Sequence, residues 1–163
     1  MTAVGRMQAY LELTKPGITR MVVITAAAGF YLGSRGRFDV PAFINTLIGT
    51  ALVAAGSSAL NQLRERQIDA RMDRTRGRPL PSGRLTPRAA ALFSWSAAAL
   101  GVAYLAWRLN LLTAALAFLT LVSYVFLYTP LKLRTSLNTL VGAVPGALPI
   151  VGGWTAAGGR LDG

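Results

Sequence analysis

The stretch ALVAAGSSALNQLRERQIDARMDRTRGRPLPSG, residues 51–83, passes abruptly from small and apolar side chains to six arginines and three carboxylates. Its first part closes a run of 24 uncharged residues, 40–63, long enough to cross a bilayer as a helix. Its second part reads as the same helix leaving the membrane. At about 100° per residue, positions 61, 65, 69 and 73 drift by about 40° each and occupy an arc of about 120°. Asn61, Glu65, Asp69 and Asp73 therefore share one face, and Gly77 and Pro79 end the helix.

Outward from this stretch the pattern repeats. Between Arg88 and Arg108 lie 19 uncharged residues, between Arg108 and Lys132 lie 23, and between Arg134 and Arg160 lie 25. A further span is predicted from Pro16 to about Gly33, with Arg20 in the interface and the Thr14 hydroxyl as its cap. The expected fold is an all-α, polytopic transmembrane helix bundle of five spans. Ahead of it, residues 1–17 lack the apolar core and cleavage site of a secretory signal and read as an amphipathic lead-in helix. Thr86 is expected to cap the third span, and residues 108–110 to close a tight hairpin into the fourth. Tyr124 and Tyr128 lie four apart near the far end of that fourth span. Glycines and Pro145 and Pro149 in the fifth predict a kink.

The 163 residues carry a net charge of +11, with 53% apolar and 14% charged side chains. Threading five spans with the N-terminus inside puts 13 of the 17 basic residues on one face. Cytoplasmic loops retain Lys and Arg, so the basic excess reads as a bacterial-type inner-membrane orientation, with the acidic stretch cytoplasmic, and not as a nucleic-acid surface. Cysteine and histidine are absent, which removes disulfides, thiolate nucleophiles, the usual zinc sites and any Ser-His-Asp arrangement within this sequence.

What remains is carboxylate, amide and guanidinium chemistry. Acids at four-residue spacing repel one another unless something positive lies between them. The nearby arginines could do this on a solvated face. Carboxylates contiguous with a membrane span are costly without a use, however, and they suit Mg²⁺, which keeps waters and takes phosphate oxygens from a substrate. The surrounding arginines suit the phosphates. A metal, a diphosphate and apolar walls together point to a lipid diphosphate whose allylic C–O bond ionises, and hence to prenyl transfer.

The residues Asn61, Glu65, Asp69, Met72, Arg74, Thr75, Arg78, Pro79, Leu80 and Gly83 resemble the first acidic motif, N-x-x-x-[DE]-x-x-x-D followed by R-T-x-x-R-P-L, of the membrane prenyltransferases typified by 4-hydroxybenzoate polyprenyltransferase. Within that superfamily the chain is most similar to the protoheme IX farnesyltransferase (haem O synthase) family. LTKPGI at 13–18, YTPLKLRTSLNTLVGAVPGALP at 128–149 and GGWTAAGG at 152–159 carry this likeness.

The resemblance implies transfer of a farnesyl group from farnesyl diphosphate to a vinyl group of protoheme IX. It implies Asn61, Glu65 and Asp69 as catalytic residues holding Mg²⁺. Arg74, Arg78, Tyr128 and Lys132 would bind the diphosphate, with Asp73 and Lys15 as lesser candidates. The partners it implies are these two substrates and membrane lipid, with haem A synthesis or oxidase assembly proteins beyond them. Family members run to about nine spans of about 20 residues, so five correspond to the N-terminal half. Residues 1–163 are then one transmembrane prenyltransferase domain, truncated at its C-terminus and without the second acidic motif. Two alternatives stay open: an aromatic-acceptor prenyltransferase of quinone synthesis, and a non-catalytic membrane fragment with a salt-bridged acidic face.

Overall fold

A computed structural model describes residues 3–131 and 138–158, and all regular structure among them is helical. Helices α1 (Ala3–Leu13) and α2 (Pro16–Gly33) lead into α3 (Val40–Asp69) and α4 (Pro87–Arg108). Then α5 (Leu111–Val122) continues through a π-helical segment (Ser123–Tyr128) into the short α6 (Thr129–Leu131), and α7 (Asn138–Gly158) follows.

The 30 residues of α3 make about 45 Å of helix, against about 30 Å of hydrocarbon. About 20 residues from Val40 cross the apolar layer, which brings Asn61 to its edge and leaves the charged end in the headgroup region. α3 is also the most buried span, with half of its apolar window covered by neighbours. Asp39 starts it by accepting the Ala42 N–H at 2.9 Å.

Among the described residues four helices are long and apolar enough to cross a membrane: α3, α4, Leu111–Leu131 and α7. The expected first span, α2, is not among them. It has 18 residues, about 27 Å of helix, and includes Arg20. It nevertheless packs as a member of the bundle, against α3 and α7.

Small residues bring the backbones together where lipid offers no hydrophobic drive between helices. A Cβ on Gly56 would lie 2.6 Å from Ala98 N and 2.8 Å from Ser94 O, so α3 and α4 touch backbone to backbone. Between α2 and α7, a Cβ on Gly153 would collide with Ala26 O, and one on Gly29 with Ile150 O. Polar pairs add to this: Asn110 Nδ2 donates to Thr155 O at 3.0 Å, and Tyr104 donates to Asn45 Oδ1 at 2.7 Å. Large apolar side chains such as Leu92, Leu100, Leu111 and Leu140 face outward, as a bilayer solvent requires.

Thr86 caps α4 as expected, accepting Ala89 N–H at 3.2 Å, and Asn110 caps α5 through Thr113 N–H at 2.8 Å, which closes the short hairpin. Thr14 does not cap α2. Its hydroxyl donates to Leu11 O and finishes α1 instead, and α2 starts after Lys15, which turns the chain in the left-handed region at φ 48° without a side-chain cap. α7 runs as one helix through the buried Pro145 and Pro149.

The end of α3 also departs from the expected position. The helix stops at Asp69, not near Gly77. Arg71 N–H turns back to Ile68 O, and the Thr75 hydroxyl donates to Asp69 O at 2.9 Å, so the chain folds over the helix end. Asp73 consequently leaves the acidic face. Its side chain is 93% exposed and pairs with Arg76 at 3.3 Å.

Candidate active site at the head of an apolar cavity

Asn61, Glu65 and Asp69 occupy successive turns of α3 and are all buried, at 3%, 8% and 4% exposure. Buried ionisable groups at the edge of a membrane are unfavourable unless partnered. Asp69 has such a partner, since Arg78 Nη1 donates to its Oδ2 at 2.7 Å. The fold-back makes this possible: Arg78 N–H bonds to Thr75 O, and Thr75 is itself tied to the last turn of α3.

Asn61 is met from the other side of the bundle. The Tyr124 hydroxyl donates to its Oδ1 at 3.0 Å. Tyr124 reaches it from the π-helical segment, where both the N–H and the hydroxyl of Thr129 bond back to Tyr124 O, five residues earlier. The Tyr124 ring stacks on Tyr128, with centroids 5.7 Å apart and planes 17° from parallel. Gly142 of α7 makes room for Tyr128, because a Cβ there would lie 2.7 Å from the ring. Glu65, Arg78 and Tyr128 are within electrostatic reach of Tyr124.

Below this cluster lies a cavity of about 520 Å³. Ser57 and Ser58, one turn before Asn61, line its α3 wall, with Val53, Ala54 and Leu105 further down. Tyr124 and Tyr128 form its head, and Gly142, Pro145, Gly146 and Pro149 its α7 wall. Among the described residues no charged side chain is in the lining, so an ionic end and an apolar body meet at the two tyrosines.

The other sequence-predicted residues fall unevenly. Arg74 is exposed and has no ion pair among the described residues. Lys132 lies outside the described residues. Lys15 sits at the α1–α2 junction, which is fastened to α3 by Gln62 Nε2 donating to Glu12 O at 3.1 Å and Leu13 O at 3.0 Å. Sequence reasoning missed the role of Tyr124, for which spacing of four from Tyr128 was the available signal. It also missed the Glu12–Arg84 pair, which spans 72 residues and whose hydrogen bonds hold the Glu12 carboxyl below its usual range.

Among the described residues no three His, Cys, Asp or Glu side chains gather as a metal cluster. The two carboxylates at successive turns fit a hard cation of another kind, one that keeps waters and completes its shell with phosphate oxygens.

Residues 22–163 match the UbiA prenyltransferase family. The chain is 49% identical over 152 residues to the protoheme IX farnesyltransferase of Myxococcus xanthus, covering 93% of this chain and 51% of that protein. It is 44% identical over 164 residues to that of Solibacter usitatus, covering 95% and 56%, and 45% identical over 151 residues to the human mitochondrial protein of the same name, covering 93% and 34%. The bacterial relatives are thus spanned over about half their length. In fold the chain is similar to a digeranylgeranylglyceryl phosphate synthase studied in membranes, with a TM-score of 0.79 at 20% identity over 90% of this chain and 52% of the other. The chain belongs to the UbiA prenyltransferase family.

Proposed function

We propose that this chain carries the diphosphate half of a prenyltransferase that moves a farnesyl group from farnesyl diphosphate to a vinyl group of protoheme IX. The single observation that carries the reading is the junction of a buried Asn–Glu–Asp face with an apolar cavity of about 520 Å³ at Tyr124 and Tyr128. A prenyl diphosphate has the same two-part chemistry. The names of the relatives favour haem as acceptor over a quinone precursor.

In this reading Glu65 and Asp69 would hold Mg²⁺, which when bound neutralises charge on the leaving diphosphate. Arg78 grips a phosphate oxygen with the guanidinium donors that Asp69 leaves unused, and Arg74 and Lys132 add positive charge from the loops. The tail lies along Ser57, Val53 and the small residues of α7. The allylic C–O bond breaks with its electron pair leaving on the diphosphate, the vinyl π electrons of the acceptor form the new C–C bond, and the cation this leaves on the other vinyl carbon is discharged by addition of water with loss of a proton. The largely apolar walls keep bulk water from the allylic cation meanwhile.

The excess of basic residues in the loops supports an orientation with this site on the cytoplasmic side of a bacterial-type inner membrane. Haem A synthesis or oxidase assembly proteins are the partners that such a product implies.

The test is haem O formation by membranes carrying the complete gene product. Replacing Glu65 or Asp69 by Ala lowers product at least about hundredfold while leaving the protein in the membrane. Near-normal product from either variant sinks the proposal.

A further inference from the structure

The two ends of the Asn61 amide have different surroundings. Oδ1 accepts the Tyr124 hydroxyl, whereas Nδ2 is buried and has no hydrogen-bond partner among the described residues. Unpaired N–H groups in the interior are unfavourable, and they persist where a ligand supplies the acceptor. The amide is in the first turn of the acidic face, one turn beyond Ser57 and Ser58 and bonded to Tyr124, all three of which line the cavity, so it is next to the place where a diphosphate would arrive. A cation does not satisfy an N–H group. A phosphate oxygen does.

Tyr124 is in turn rigidly placed. Its ring is stacked on Tyr128, Tyr128 fills the space left by Gly142, and the π-helical turn is closed by two bonds from Thr129 to Tyr124 O. Two rotations of the Asn61 amide are conceivable. In the rotation found, Oδ1 faces the Tyr124 hydroxyl and Nδ2 is turned away from it.

We infer that Tyr124 is a positioning residue of the diphosphate site: its hydroxyl holds the Asn61 carbonyl, leaving the amide N–H₂ to donate to a diphosphate oxygen. Asn61 is then a donor to the anion, not a ligand of the cation. This deepens the function proposed above and rests on a diphosphate binding beside Glu65 and Asp69.

Inorganic pyrophosphate is the probe, titrated with Mg²⁺ against the complete gene product in lipid nanodiscs. Tyr124→Phe keeps the ring stack and removes only the hydroxyl. At saturating Mg²⁺, Tyr124→Phe and Asn61→Ala each weaken pyrophosphate about tenfold, the loss of one placed hydrogen bond to a charged group. The double variant is no worse than Asn61→Ala, and the Mg²⁺ concentration giving half-saturation stays at the wild-type value. A merely structural Tyr124 gives additive losses instead.

Unchanged pyrophosphate affinity in Tyr124→Phe, additive losses, or a raised Mg²⁺ requirement with pyrophosphate affinity intact each overturns the inference. The last outcome makes Asn61 a metal ligand. If Tyr124→Phe does not fold, Asn61→Ala decides alone: a loss confined to pyrophosphate supports the donor role, and a loss confined to Mg²⁺ overturns it. Wild-type protein that binds no Mg²⁺-pyrophosphate defeats the diphosphate reading itself, and this inference with it.

Discussion

Asp69 is the residue on which the charged end of the site turns. Its carboxylate is 6% exposed while its partner Arg78 keeps 27% of its surface, so the pair is buried on one side only. Removing the cation leaves the acid without compensation, which is the costly way to break such a pair. Arg78→Ala is expected to destabilise the protein by about 2 kcal/mol, less than a fully buried pair would lose. Thermal unfolding in detergent reads this, and Arg78→Lys should recover part of it, since a single ammonium lacks the planar fork. Residues of this kind were legible in the sequence. Asn61, Glu65 and Asp69 repeat with the helix, and an apolar run ends where they begin. Asp73 obeys the same spacing but sits beyond the helix end, because local bonds from Thr75 and Arg71 stop α3 first. Spacing cannot report where a helix stops when the chain supplies its own cap. Tyr124 was visible only as half of a tyrosine pair, because its partner Asn61 lies 63 residues away and the π-helical turn sets its direction.

At the scale of elements, α1 is held to the charged end of α3 by contacts that sequence spacing does not announce. Gln62 binds the last carbonyls of α1, and Glu12 meets Arg84 across the fold-back loop, with Arg84 Nη1 to Glu12 Oε1 at 3.1 Å. The Arg84 hydrogen bonds lower the Glu12 pKa from its ordinary 4.5. A lowered carboxyl pKa contributes stability that is complete above the ordinary value and is lost as pH falls through the lowered one. The protection of α1 amides, taken relative to their intrinsic exchange rate at each pH, is therefore expected to be steady above about pH 5 and to fall below 4.5. Glu12→Gln should show the lower protection at neutral pH and little pH dependence. The spans themselves were readable from uncharged run lengths, which place α3, α4 and α7 well. α2 was harder, because an 18-residue helix containing Arg20 is held in the bundle by its contacts with α7 more than by its own hydropathy.

For the whole molecule, the cavity depends on how closely α2 and α7 approach at one end. Gly153 and Gly29 permit that approach, and a side chain at either meets backbone, which cannot rotate away. Gly153→Leu is expected to separate the two helices and to destabilise the protein by about 3 kcal/mol, at the upper end for overpacking. A lowered unfolding temperature in detergent checks it, while the same substitution at Gly146, where a Cβ meets nothing within 4 Å, should leave it nearly unchanged. The existence of a bundle was legible, but its cavity was not, because a cavity arises from which small residues face each other across helices far apart in sequence.

The most direct measurement of the central claim is photocrosslinking with a farnesyl diphosphate analogue bearing a diazirine near the tail end, applied to membranes of the complete gene product with and without Mg²⁺. The account predicts labelling of the cavity wall, on α3 around residues 50–58 or α7 around residues 142–152, dependent on Mg²⁺ and lost in Glu65→Ala. Labelling elsewhere, or the same labelling without Mg²⁺ and in Glu65→Ala, would contradict it.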